Sequence, residues 1–112
     1  MKKTVAVASF VFAAAVVLWP SVVVGAPPTA GAQTFAAKCA SCHGKDASGS
    51  TTMGKKMGLR PLGSVAVQKL TDKQLYDITA KGRKKMPAYE KKLTAVQIKE
   101  LVSYMRTLPK QK

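Results

Sequence analysis

The chain has 112 residues, 46% of them apolar, and carries 19 Lys and Arg against five Asp and Glu, a net charge of +14. That length excludes two full domains, and so positive a chain points to partners with acidic surfaces. A domain this small buries a marginal core, so a disulfide, a metal or a bound apolar group is expected to complete it.

The first 26 residues read as a leader. Met1-Lys2-Lys3 is followed by an uncharged, largely apolar stretch ending in Val24-Gly25-Ala26, just before Pro27-Pro28. A short basic start, an apolar run and small residues at the end are the layout of an export signal. Cleavage is expected after Ala26, leaving residues 27–112 as the functional domain with a net charge of +12 once Lys2 and Lys3 are gone. Residues 5–26 would also suffice to cross a bilayer, which takes about 20 apolar residues. Retention as an inner-membrane anchor is therefore the alternative, although Pro20 disfavours an unbroken spanning helix. Either way the domain is expected outside the cytoplasm, in the periplasm.

Helices are expected along the rest, and no stretch alternates with the period of a strand. Phe35 and the Ala-rich run around it predict a short helix within residues 30–42. Thr71 with Gln74 is a capping-box pair, followed by Leu75 and Ile78, and Gly82 is placed to end that helix in a left-handed turn. Thr94 with Gln97 repeats the box. Ile98, Leu101, Val102, Met105 and Leu108 then recur at helical spacing until Pro109.

Between the first two helices stands Cys39-Ala40-Ser41-Cys42-His43, a C-x-x-C-H motif. Two thiols three positions apart on a helical turn can reach the two vinyl groups on one edge of a porphyrin, and the next residue aims its imidazole at the iron. A dithiol redox pair, a disulfide and a zinc site are the rival readings. The chain has no other Cys and no other His, which leaves a tetrahedral zinc site short of a ligand, and the βαβ context of a thioredoxin-type dithiol is missing. One covalently attached haem c is the expected cofactor, with Cys39 and Cys42 as thioether attachments and His43 as axial ligand.

The other face of the iron cannot take a second imidazole from this chain. Met105 falls on the apolar stripe of the last helix and reads as core. Met53 and Met57 lie in a Gly-rich loop close after His43, within reach of the ring edge. Met86 precedes Pro87, which forces its backbone extended and out of any helix, and it is the expected sixth ligand. Imidazole plus thioether ligation raises the reduction potential relative to other axial sets.

With Cys39-Ala40-Ser41-Cys42-His43-Gly44 upstream and Met86-Pro87-Ala88-Tyr89 downstream, the chain resembles small bacterial class I c-type cytochromes, the group of cytochromes c6 and c553, over residues 31–108. The resemblance implies an all-α cytochrome c fold of three to five short helices around one haem, with His43 and Met86 on opposite faces. It also implies that Gly31, Phe35 and Tyr104 let the first and last helices cross closely. The mitochondrial relatives carry a Trp that contacts a haem propionate, whereas the only Trp here is Trp19 of the leader. Their Gly-Pro-x-Leu segment, whose proline carbonyl orients the histidine, is loosely echoed by Leu59-Arg60-Pro61-Leu62.

Arg83, Lys84 and Lys85 precede Met86, Lys91 and Lys92 follow it, and Lys55 and Lys56 lie in the earlier loop. Charge runs are commonly no more than solvated faces. Here they are read as a docking patch for an acidic redox partner, with an anionic membrane surface as a further candidate. The export signal and the absence of an aromatic-interleaved binding motif weigh against nucleic acid. The expected function is a monomeric one-electron carrier rather than an enzyme. The alternatives are a peroxidase-like haem enzyme or sensor with an open sixth position, and a fixed haem subunit of a larger oxidoreductase.

Overall fold

A computed structural model describes residues 6–17, 19–21, 25 and 27–112. The basic start of the leader and the expected cleavage residue Ala26 lie outside these, and no helix among the described residues is long and apolar enough to cross a membrane. Among the described residues six helical segments follow one another: α1 (Ala30–Lys38), α2 (Ala40–His43), α3 (Thr52–Met57), α4 (Val65–Gln68), α5 (Asp72–Lys81) and α6 (Ala95–Thr107). Two of them, α2 and α4, are single turns of four residues. Among the described residues the only β-type pairings are isolated bridges at Ser64–Gln111 and Arg83–Met86, so the fold is all-α.

Each of the four longer helices starts at a threonine. Thr29, Thr51, Thr71 and Thr94 all have extended backbone and a hydroxyl that accepts a free N–H of the first turn, which satisfies donors the helix cannot pair internally. Both expected capping boxes are complete: Gln74 and Gln97 return their side-chain oxygens to the backbone N–H of Thr71 and Thr94 at 2.8 and 2.9 Å.

The core forms where α6 meets α1 and α5. Ile98, Leu101, Val102 and Met105 recur on one face of α6 and are all buried, each such side chain stabilising the fold by about 1.5–3 kcal/mol. Gly31 sits directly on the backbone of α6, where any β-carbon would run into the Glu100 carbonyl. Four residues on, the Phe35 ring tilts against Tyr104 with centroids 5.2 Å apart. The close crossing implied by the resemblance is thus present, with Gly31 setting the distance and Phe35 filling the space beside it.

Two ties hold the irregular segments to this frame. Arg106 of α6 donates Nε to Asp72 Oδ1 at 2.9 Å and Nη1 to Gln68 O at 2.9 Å, and Nη2 reaches Leu70 O. These bonds fix the turn between α4 and α5. Beyond Pro109 the tail folds back: the Gln111 amide accepts from Gly63 N–H at 3.1 Å and donates to Asp46 O at 2.8 Å, and its backbone N–H donates to Gly63 O at 3.1 Å. The tail thereby straps the segment that follows the cysteines.

Candidate cofactor cleft

The C-x-x-C-H motif begins at the point where α1 ends. Cys39 is both the C-cap of α1 and the residue before α2, and its carbonyl accepts the N–H groups of Cys42 at 3.2 Å and His43 at 3.0 Å. The motif is therefore one helical turn that carries both thiols and the imidazole. The following loop folds back onto it: Gly49 N–H donates to His43 O at 2.7 Å, and the Thr51 hydroxyl donates to Cys42 O at 2.6 Å. The cysteines are not joined to each other. Burial pushes the Cys39 thiol up to about 11, with Cys42 beside it adding to the shift. A thiol-exchange nucleophile needs the opposite shift, so the redox-dithiol reading fits this turn poorly.

Cys39, His43 and Met86 line one cleft that is partly open to solvent. Its walls are mostly aliphatic, among them Leu70, Leu75, Ile78 and Leu101, and Phe35 stands beside His43 with ring centroids 6.4 Å apart. Burial lowers the pKa of His43 below the ordinary 6.5, which favours the neutral imidazole that can ligate a metal. Its Nδ1 is buried without a hydrogen-bond partner, while the Pro61 carbonyl accepts the Ser64 N–H at 3.1 Å.

Met86 reaches the cleft from a tight turn. Arg83 and Met86 exchange two backbone hydrogen bonds at 3.1 and 2.9 Å, with Lys84 in the left-handed region at φ 53°. Gly82 ends α5 with φ 75° and ψ 168°, so the chain leaves extended rather than through the expected left-handed helical turn. Glycine is needed at this position because a β-carbon there would lie 2.6 Å from Met86 O. On the far side Tyr89 pins the loop, its N–H bonded to Thr79 O and Ala80 O and its hydroxyl donating to Lys38 O at 3.1 Å.

The other methionines are placed differently. Met53 and Met57, expected in a loop, belong to α3, whose start is capped by Thr51. Met53 is half exposed, and neither residue lines the cleft. Met105 is buried as expected but also forms part of the cleft wall. Cys42 lies on the motif turn outside the cleft lining. The seven basic residues near Met86 and in α3 are all exposed, and the Lys92 ammonium lies 5.5 Å from the centre of the Tyr89 ring. Sequence reasoning missed Tyr89 as the pin of the loop and Arg60 as a cleft residue; Tyr89 could be found only as part of the Met86-Pro87-Ala88-Tyr89 segment.

The residues present suit a flat, largely apolar macrocycle. They offer an aliphatic cleft, a half-buried imidazole whose Nδ1 has no hydrogen-bond partner, a thioether on the same cleft and two thiols on one turn. Among the described residues no group of three His, Cys, Asp or Glu could hold a bare metal ion.

Comparison with known proteins agrees with that chemistry. Residues 26–105 match the family described as cytochrome c oxidase, cbb3-type, subunit III. The chain is similar to the solved structure of the c-type cytochrome KustC0563, with a TM-score of 0.66 and 28% identity over 71% of this chain and 98% of that one. No curated protein matches the chain.

Proposed function

The chain belongs to the cytochrome c family described by subunit III of the cbb3-type oxidase, and from that premise we propose that it is a one-electron carrier with a single haem c, held by Cys39 and Cys42 and ligated by His43 and Met86. The observation that carries this reading is that the chain's only histidine and one of its loop methionines line the same aliphatic cleft, next to Cys39. When bound, the haem supplies an iron that alternates between the ferrous and ferric states.

The chain's own contribution is to hold the surroundings still. Cys39 and Cys42 are the only thiols in the sequence, enough for one pair of thioether links. Burial favours the neutral form of His43, and the turn closed by Arg83 and Met86 presents the sulfur. Aliphatic walls limit contact with water, and imidazole with thioether ligation makes the potential fairly positive. The exposed basic residues around Met86 favour encounter with an acidic redox partner and make association fall steeply with added salt. The leader fits export, with the domain either released or tethered at the membrane.

A second reading, a haem subunit fixed in a larger oxidoreductase, is favoured by the family description, which names an oxidase subunit. Intact mass of the exported protein separates the two, since retention of residues 1–26 contradicts free diffusion.

The test of the carrier reading is the holoprotein produced in a host that attaches haem c. The haem should stay with the polypeptide through denaturing extraction, and the ferric spectrum should show the weak sulfur-to-iron band near the red end. Met86→Ala should abolish that band and lower the potential. An unchanged spectrum in this variant, or rapid peroxide binding by the unaltered protein, would overturn the proposal.

A further inference from the structure

The cleft carries charge that the ligand set leaves unused. Of the chain's 19 basic residues only Arg60, Arg83 and Arg106 are arginines. Arg106 is spent on Asp72, Gln68 and Leu70. The other two both line the cleft, where no lysine does. Among the described residues neither guanidinium has an ion-pair partner, the two salt bridges being Lys73–Asp77 and Arg106–Asp72.

The titratable residues lining the cleft are Cys39, His43, Arg60 and Arg83, with no carboxylate among them. An aliphatic cavity with two exposed arginines at its rim, neither in an ion pair, is complementary to an apolar body bearing carboxylates at its outer edge. Arginine suits that partner better than lysine because its planar fork can bond both carboxylate oxygens and is weakly hydrated. No indole N–H competes for the role in residues 27–112, since the single Trp is Trp19.

We propose that Arg60 and Arg83 bind the two propionate carboxylates of the haem. The assignment rests on the haem reading above and adds the residues that orient the group's polar edge. Arg60 lies between α3 and α4, and Arg83 opens the turn that presents Met86, so the two carboxylates join the loops on either side of the cleft. Two cations beside the propionates keep them ionised to lower pH and disfavour the ferric charge, which raises the potential.

The experiment measures midpoint potential against pH for the full-length holoprotein and three variants. In R60Q/R83Q the acid inflection of the curve should move up by about one pH unit, the low end of what losing an adjacent guanidinium does to a carboxylate, and the potential should fall. R60K/R83K keeps the charge and should retain most of the wild-type curve. K99Q/K110Q removes the same charge away from the cleft and should leave the inflection in place. A curve for R60Q/R83Q that superimposes on wild type, or an equal shift in K99Q/K110Q, would overturn the assignment. Failure of the haem reading would look different, because the unaltered protein would then carry no thioether-bound haem.

Discussion

Where α1 crosses α6 the chain is held by buried apolar area, with Phe35, Ile98 and Leu101 each no more than 3% exposed. The two segments beside the cleft, residues 44–64 with the short helix α3 and the loop of residues 82–92, bury no large apolar side chain. They are held by single directed bonds instead: Thr51 to Cys42, Gln111 to Gly63 and Asp46, and Tyr89 to Lys38. Burial is non-directional and sums over many contacts, whereas a hydrogen bond fixes one atom against another. The crossing therefore sets whether the chain folds, and the loops set where the candidate ligands stand.

Substitutions can separate these two jobs. Ile98→Ala, at the most deeply buried large side chain, should cost about 2–5 kcal/mol in denaturant unfolding of the holoprotein, while the visible spectrum of the folded fraction stays unchanged. A spectral change on this substitution would break the separation. Thr51→Val removes both the cap of α3 and the hydroxyl bond to the Cys42 carbonyl, and should cost about 1–2 kcal/mol by the same measurement. Tyr89→Phe keeps the ring and removes only the hydroxyl bond to Lys38, a loss of about 0.5–1.5 kcal/mol. Its effect should appear mainly as weaker closure of the Met86 loop, read as a rise of up to about tenfold in the affinity of the ferric protein for added imidazole. Equal affinity in the two proteins would show that this bond does not hold the loop.

Much of the frame was legible in one dimension because its causes are local. The Thr71/Gln74 and Thr94/Gln97 pairs cap helices through bonds three residues apart, and the stripe from Ile98 to Met105 follows from the helical period. The attachment turn was legible for the same reason, its spacing being a property of one helical turn. The loops were harder to read. Met53 and Met57 looked like loop residues because Gly54 and Gly58 flank them, yet Thr51 caps a short helix there and Gly58 ends it in the left-handed region. Gly82 marked the end of α5 but not its extended exit, nor that the Met86 carbonyl stands too close for any β-carbon there.

The sequence by itself determined the helical class, the two capping boxes, the single C-x-x-C-H turn and the short list of methionines that could complete it, since each depends on residues within about one helical turn. Only the tertiary structure decided that Met86 and Met105, but not Met53 or Met57, share a cleft with His43, that Tyr89 and Gln111 fasten the loops, and that two of three arginines line that cleft. Those outcomes depend on groups as much as 65 residues apart, brought together by the packing of α1 against α6, and no local pattern records such a meeting.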